Sequence, residues 1–128
     1  ATVLVVSGPD HDPDRRHLFI LLTHGLGESE ECLMVCIQSV LPGHVFDDSC
    51  VLAAGEHEFV RHESFVRYDR CRKEERAKLL RAVRDGVMVA RAPVSDEVYS
   101  RICEGLKVSL HTPPWARDWL NWHENLAD

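Results

Sequence analysis

One short stretch of the sequence, residues 50–64, concentrates side chains that can carry out acid–base chemistry. Its two histidines, His57 and His62, can move protons near neutral pH, and Arg61 beside them can stabilise the charge of a phosphate. His62 and Ser64 are two residues apart, so on a strand they share a face. His57 and His62 would face opposite sides of one straight strand, so a joint site requires the turn to bring them together. The alternative is structural, with the histidines capping the turn or lying on the surface.

The same stretch is an alternative metal site. Cys50, His57 and His62, with His44 or Asp48 added, are residue types that bind transition metals. Their spacing matches no familiar pattern, because the interval from His57 to His62 is one residue longer than in the helical motif of zinc proteases. We therefore expect no metal and no cofactor, and keep a site assembled from loops as the alternative.

A second polar segment, residues 10–17, comes just before an apolar run. Its three aspartates suggest a divalent cation, but Pro13 and the lack of a glycine and a terminal glutamate make it unlike a calcium loop. Arg15, Arg16 and His17 favour contact with an anion. The alternative is a solvated turn whose aspartates bond to their own backbone.

Two features of the second half of the chain indicate partners. Residues 70–84 contain seven Lys or Arg and only two Glu, on a predicted helix that places Arg72 and Arg76 in the same arc as its apolar residues. Such a pair needs carboxylates or a bound anion, and salt bridges to the rest of the domain are the plainer alternative. Tryptophans recur with helical spacing and predict a face that docks onto the domain or onto a second copy of the chain: Trp115, Trp119 and Trp122.

The composition excludes several classes of protein. The 128 residues are 45% hydrophobic and 28% charged, which is typical of one folded domain. A net charge of −6 argues against a protein that coats nucleic acid non-specifically. The apolar runs are too short to cross a bilayer and no export leader precedes them, so we expect a cytoplasmic protein without membrane contact. Five cysteines without a Cys-x-x-Cys pair predict free thiols, and the motifs of serine hydrolases, NTPases and dinucleotide enzymes are absent.

Short strands and helices must position these segments. Apolar runs bounded by turn residues predict strands at 2–7, 17–23, 32–38, 50–53 and 64–69, of which 17–23 is apolar enough to be buried on both faces. The period then changes and predicts a helix over 73–85 closed by Gly86, and a strand at 87–90. Ser95 caps a second helix, and Thr112 with Pro113 starts a third. We expect one α+β domain over residues 1–128, with a β-barrel core over 1–70 and a mainly helical part over 71–128.

The segment Arg16-His17-Leu18-Phe19-Ile20-Leu21-Leu22-Thr23 follows a polar loop, opens with basic residues and ends in a hydroxyl residue. In this it resembles the start of PemK/MazF-type toxin domains, over roughly residues 1–70. The resemblance implies a small SH3-like antiparallel β-barrel, a homodimer, and cleavage of single-stranded RNA without a metal. By position it places Arg16 or His17, and Thr23, in the active site.

The sequence therefore predicts a small SH3-like antiparallel β-barrel followed by two or three C-terminal helices, acting on single-stranded RNA as a metal-independent endoribonuclease. In the predicted mechanism a histidine takes the proton from a ribose 2′-hydroxyl, an arginine stabilises the charge on the phosphate, and a hydroxyl residue orients it. The candidates for these three roles are, in turn, His57 or His62, Arg16 or Arg61, and Thr23 or Ser64.

The alternative is a non-catalytic protein-interaction module of the same small-barrel fold. It would bind a protein partner through the barrel groove or through the helix that carries the tryptophans. In either case a homodimer through that helix is possible on this sequence.

Overall fold

A computed structural model describes residues 3–6, 17–22 and 31–127. In these segments six strands and three helices follow one another, which confirms a mixed α+β fold with C-terminal helices. The elements are β1 Val3–Val6, β2 His17–Leu22, β3 Glu31–Ser39, β4 Val51–Leu52, β5 Ser64–Glu75, α1 Arg76–Arg84, β6 Met88–Arg91, α2 Asp96–Val108 and α3 Pro114–Ala127.

The strands form an antiparallel sheet in the order β4-β5-β3-β2-β1-β6. Leu18 near the start of β2 pairs with Ile37 near the end of β3, and Ser39 at the end of β3 pairs with Ser64 at the start of β5. The start of β2, the end of β3 and the start of β5 therefore lie together, at what we call the Ser39 end of the sheet. β2 finishes at the opposite end, where Leu22 pairs with Leu33.

Each face of the sheet has its own apolar layer, because successive side chains of a strand point to opposite faces. On the inner face, Leu33 and Val35 of β3 belong to a large core that includes residues of α2 and α3. On the outer face, Met34 packs with Leu79 of α1. The apolar strand β2 contributes to both layers, so its predicted burial on two faces is confirmed.

The predicted helix over 73–85 is wrong in its first turn. β5 continues to Glu75, and α1 begins only at Arg76. Residues 73–75 are paired with residues 31–33 of β3, and this pairing overrides their own preference for helix. Arg72 consequently lies in a strand rather than beside Arg76 on a helix.

A β-bulge bends the long strand β5. The five-residue step from Arg67 to Arg72 faces a two-residue step from Cys36 to Met34 in β3. Such an irregularity curves a strand and increases its twist. Within the bulged segment Tyr68 is fully buried on the inner face and its hydroxyl donates a hydrogen bond to the carbonyl oxygen of Ile102, 2.7 Å away.

The helices α2 and α3 cover the inner face. The predicted cap of α2 is confirmed, since the Ser95 hydroxyl accepts a hydrogen bond from the Val98 N–H at 3.2 Å. Gly105 of α2 lies directly over Tyr68: a Cβ atom built at this glycine would lie 3.0 Å from the Tyr68 ring carbon Cζ. The helix can therefore approach the sheet this closely because residue 105 has no side chain.

Only one tryptophan of α3 packs against the domain, and docking of the tryptophan face onto a second copy of the chain stays a prediction. Ala116, Leu120 and His123 are buried, and Trp119 packs partly against the inner core, stacked on His123 with ring centroids 3.7 Å apart. Trp115 and Trp122 are exposed. Small Ala116 lets the helix approach the core, which turns the two larger indole rings outward.

The two edges of the sheet are linked by the turn that follows β4. His57 bonds to the carbonyl oxygen of Ala92, just after β6, at 2.8 Å, and the Arg91 guanidinium lies 5.1 Å from the centre of the Phe59 ring. These contacts bring the β4 side of the sheet to the β6 side, so the sheet is curled. We call the pair His57–Ala92 the edge clasp.

All five cysteines are free, as predicted. None of the helices among the described residues has the length and apolar character needed to cross a membrane.

Candidate functional site

The turn after β4 is held by a dense set of hydrogen bonds. The Ala53 N–H donates to Oε2 of Glu56 at 2.8 Å, and the Gly55 N–H donates to the Val60 carbonyl at 2.8 Å. Gly55 has a φ of 92°, a conformation that side chains with a Cβ rarely adopt. Arg101 of α2 forms an ion pair with Glu56 and also donates to the Val51 carbonyl at 2.6 Å. Its guanidinium, helped by the Ala53 N–H, lowers the pKa of Glu56 although burial acts in the opposite direction.

His57 uses both ring nitrogens inside this turn. Nδ1 accepts a hydrogen bond from the Phe59 N–H at 3.2 Å, so Nε2 carries the proton and donates to the Ala92 carbonyl at 2.8 Å. A histidine engaged in this way has no free nitrogen for a substrate. In the described structure His57 therefore serves the edge clasp, which is the structural alternative that the sequence left open.

The other candidates from this stretch lie in different surroundings. Ser64 is buried, and its hydroxyl donates to the His62 carbonyl at 2.8 Å, so it is part of the start of β5 rather than of a surface. Arg61 and His62 are exposed, and neither side chain forms a hydrogen bond or ion pair with another described residue. Their part in catalysis stays a prediction.

Two candidates implied by the family resemblance, Arg16 and Thr23, lie outside the described residues. His17 is described as the first residue of β2 and pairs with Val6. It lies at the Ser39 end of the sheet, which is also where Arg61 and His62 come just before β5.

The metal site that the sequence kept as an alternative is not assembled. Cys50 is buried beneath α2 beside Tyr68, whereas His57 is engaged in the edge clasp. Across residues 3–6, 17–22 and 31–127, no three His, Cys, Asp or Glu side chains come together in an arrangement suited to a metal ion.

A cavity of about 350 Å³ opens at the Ser39 end of the sheet. It lies between the end of β3, the first half of β5 and the loops at 41–47 and around 111. Two histidines, His44 and His111, line it together with Arg67 and the serine that ends β3. The remaining lining residues are Gln38, Leu41, Val45, Phe46, Asp47, Phe65 and Asp69.

Asp47 links the two loops of this cavity. Its Oδ2 accepts a hydrogen bond from the Ser109 hydroxyl, and its Oδ1 accepts from the Ser49 hydroxyl at 2.6 Å and the Ser49 N–H at 3.0 Å. Burial alone would raise the pKa of Asp47, but the hydrogen bonds from Ser109 and Ser49 outweigh it and lower that pKa. The Ser109 hydroxyl also accepts from the His111 N–H at 3.1 Å, which fixes the backbone that carries this histidine.

Arg67 is the cationic side chain of the cavity. Its Nε and Nη2 donate to the two carboxylate oxygens of Asp69 at 2.9 and 2.7 Å, and its Nη1 donates to Oε1 of Gln38 at 2.7 Å. Three of the five N–H groups of a guanidinium are then used, and two remain for a ligand. These bonds fix the orientation of the guanidinium group, and a fixed orientation favours the binding of a phosphate.

Aromatic and aliphatic side chains complete the cavity. Phe46 and Phe65 lie with ring centroids 5.1 Å apart. At its rim Leu41 and Val45 are exposed, and so is Leu110 next to His111. The cavity thus offers proton-transfer groups, a cation and an apolar wall within one open space.

The sequence reasoning missed most of this cavity as a site. His44 appeared only as a spare metal ligand, and Arg67 and His111 were not singled out at all. These residues come from a loop, a strand and a helix connection that are far apart in sequence, so no periodicity joins them. The available signal was the sequence context of the two histidines, which lie in loops next to Pro42-Gly43 and to Thr112-Pro113.

Comparisons with known proteins give no relative for this chain: no protein-family model, no curated protein and no solved structure matches it.

Proposed function

We propose that this protein is a toxin-like RNA-binding protein that cleaves single-stranded RNA without a metal ion, on a curled sheet of the SH3-like barrel kind. One observation carries the proposal: His44, His111, Arg67 and Ser39 line one open cavity at the Ser39 end of the sheet. Metal-independent cleavage of RNA needs these kinds of group in one place, namely a proton acceptor, a proton donor and a cation. The resemblance of residues 16–23 to PemK/MazF-type domains supports the same substrate.

In the proposed reaction one histidine removes the proton of a ribose 2′-hydroxyl. The 2′-oxygen then forms a bond to phosphorus, and the bond from phosphorus to the 5′-oxygen breaks. The other histidine gives a proton to that leaving oxygen, so the products are a 2′,3′-cyclic phosphate and a 5′-hydroxyl. The two free N–H groups of Arg67 would bind the phosphate oxygens as charge develops on them.

The exposed pair Arg61 and His62 offers a second set of groups for the same chemistry. They precede Ser64, which pairs with Ser39, so they belong to the same end of the sheet as the cavity. The two sets of residues are distinguished by mutation.

The test is incubation of the purified protein with mixed single-stranded RNA in excess EDTA. Three proteins are compared: the wild type, the cavity variant His44→Ala/His111→Ala, and the loop variant Arg61→Gln/His62→Ala. All four side chains are exposed, so we expect both variants to fold, and circular dichroism checks this. We expect cleavage by the wild type and the loop variant, and a loss of at least about a hundredfold in the cavity variant.

Each other result corrects the proposal in a defined way. Loss of cleavage in the loop variant alone would move the active site to Arg61 and His62. Intact RNA with all three proteins would contradict the enzymatic function.

A protein-interaction module is the second candidate, and the apolar rim of the cavity favours it. Val45 and Leu110 are almost fully exposed and Leu41 is half exposed, which is unusual for three large aliphatic side chains around one opening. We expect a module of this kind to bind a partner through the rim, so that Leu110→Ser, at a rim position outside the cavity lining, abolishes the complex, whereas an RNA-cleaving enzyme should keep its activity in that variant.

A further inference from the structure

The outer face of the sheet carries a strongly basic surface in a chain whose net charge is −6. Between residues 70 and 84 seven Lys or Arg stand against two Glu. The seven basic side chains lie in the second half of β5 and in α1 and are exposed. Lys73 is set apart from the others, because it pairs with Leu33 of the inner core and its Nζ lies 5.4 Å from the centre of the Trp115 ring of α3. We call the four arginines of this surface, Arg70, Arg72, Arg76 and Arg81, the basic track.

Contacts with outer-face residues locate the track. The Arg72 guanidinium lies 5.0 Å from the centre of the Phe19 ring, which packs in the outer layer with α1. The charge of Arg76 acts on the thiol of Cys32, another residue of that layer, and partly offsets the rise in the pKa of the thiol that burial causes.

The cavity lies along the same face. Phe65, Arg67 and Asp69 line it, and they alternate along β5 with Val66 and Tyr68, which belong to the inner core. Further along β5, the charges of Arg67 and Arg70 both act on the thiol of Cys36. Arg67, which is ion-paired with Asp69 and is not part of the basic track, lies in the cavity three residues before the first arginine of the track, Arg70.

Most of the charge of the track is available to a ligand. Among the described residues Arg70, Arg76 and Arg81 form no ion pair, and Arg72 and Lys78 share the single carboxylate of Glu74, at 3.7 and 3.4 Å. Arg76 is also the first residue of α1, where a positive charge is unfavourable to the helix. A surface on which three of the four arginines have no ion pair suits a polyanion.

We propose that the basic track binds successive phosphates of one RNA strand and leads that strand into the cavity. The inference rests on the proposed function, because it is the cavity that selects RNA over other polyanions. Arg70 and Arg72 lie in β5, Arg76 and Arg81 lie in α1 directly after it, and the segment from Arg67 in the cavity to Arg76 spans at most about 30 Å of extended chain. A single nucleic acid strand tracked along its backbone matches this shape.

The test is the affinity for a fluorescent 2′-O-methyl RNA of about ten nucleotides. Such a strand lacks the attacking hydroxyl, so it stays intact. The track variant is Arg76→Gln/Arg81→Gln. Its matched control is Lys107→Gln/Arg117→Gln, which makes the same change of charge on α2 and α3, the helices of the inner face.

We expect the track variant to bind roughly tenfold more weakly than the wild type, and the slope of log K against log salt to become shallower by about 1.4, since each phosphate contact to a single strand contributes about 0.7. We expect the control to bind as the wild type does. Equal affinity and slope for the wild type and the track variant would contradict RNA binding by the basic track. Equal weakening of binding in the control variant would show that only the net charge of the protein matters. Binding of phosphatidylserine vesicles in place of the oligonucleotide would also contradict RNA binding by the basic track.

Cleavage of unmodified RNA in EDTA separates this inference from the proposed function. If the track variant binds and cleaves like the wild type, the track fails and the proposed function stands. If binding depends on the track but no RNA is ever cleaved, the track stands and the catalytic step fails.

Discussion

Asp47 illustrates how a half-buried carboxylate is kept ionised beside the cavity. Three hydrogen bonds from Ser49 and Ser109 satisfy its oxygens. Ser109 is completely buried, so water cannot take the place of Asp47 as the acceptor of its hydroxyl hydrogen bond. The same hydroxyl holds the backbone of His111, so one small side chain positions both a carboxylate and a histidine of the cavity.

We expect Ser109→Ala to lower the free energy of unfolding by about 1–2 kcal/mol at pH 7, because the mutation removes a hydrogen bond to a charged group. The folded pKa of Asp47 lies below its ordinary value, so the stability that its ionised form contributes is present above the unfolded pKa and is lost as the pH falls through the folded pKa. The difference between wild type and variant should therefore shrink below roughly pH 4. Urea unfolding at several pH values measures it.

Ser100→Ala is the control for this mutation, since Ser100 is an exposed serine of α2. If the difference in free energy of unfolding between Ser109→Ala and the wild type stays constant down to pH 2–3, the hydrogen bond of Ser109 to Asp47 is not the source of the stability.

At the scale of elements, the edge clasp decides whether the sheet stays curled. It joins the turn after β4 to the residue after β6 through one imidazole ring with a defined tautomer. The ion pair of Arg101 with Glu56 supports the same turn from the side of α2. The turn is thus fixed at two points on elements distant in sequence.

We expect His57→Ala to lower the free energy of unfolding by about 1–2 kcal/mol, because the Phe59 N–H and the Ala92 carbonyl both lose their partner. His62→Ala, at an exposed position nearby, should change it by less than about 0.5 kcal/mol. Nitrogen NMR of the wild type should find a proton on Nε2 of His57, as its two hydrogen bonds require. Equal stability of the two variants, or a proton on Nδ1, would contradict the clasp.

The sequence predicts the elements better than it predicts their ends and faces. The strands β2 and β3 and the cap at Ser95 follow from local signals, namely apolar runs, turn residues and a hydroxyl before an acidic first turn. The end of β5 does not, because Lys73, Glu74 and Glu75 are helix-forming residues that become strand only through pairing with β3. The orientation of α3 depends on which side chains fit against the core. Ala116 faces the core because it is small enough to fit there, although the indole rings are more hydrophobic.

The sequence does not predict the candidate site in the cavity, for a related reason. His44 and His111 lie in segments without regular structure, and they share a cavity because Asp47 and Ser109 bond across 62 positions of the chain. Neither serine nor aspartate spacing reveals such a bond. His57 and His62, by contrast, look joined in sequence, yet one of them is committed to the edge clasp.

For the whole molecule, burial makes the cysteines unreactive. Burial raises the pKa of all five thiols, and raises that of Cys71 and of Cys103 to about 11. A thiol reacts as its thiolate, so a high pKa suppresses attack on disulfides and alkylating agents. Four of the five thiols act here as apolar side chains of the two core layers, namely those of Cys32, Cys50, Cys71 and Cys103.

We expect Cys71 and Cys103 of the native protein to react with iodoacetamide at pH 8 more than about a hundredfold more slowly than in the urea-unfolded chain. Cys36, which is only partly buried, should be modified first. Mass spectrometry of the modified peptides identifies the order. Rapid modification of Cys71 or Cys103 in the folded protein would contradict this packing.

The contact of Gly105 with Tyr68 has a consequence for how this chain can vary. The Cβ of any larger residue at 105 would collide with the Tyr68 side chain, and the phenolic oxygen is the nearest atom to it. Enlargement at position 105 therefore demands a smaller residue at position 68. Among relatives of this chain the two positions should change together, with glycine retained wherever the tyrosine is, so the pair is a marker by which a distant homologue can be recognised.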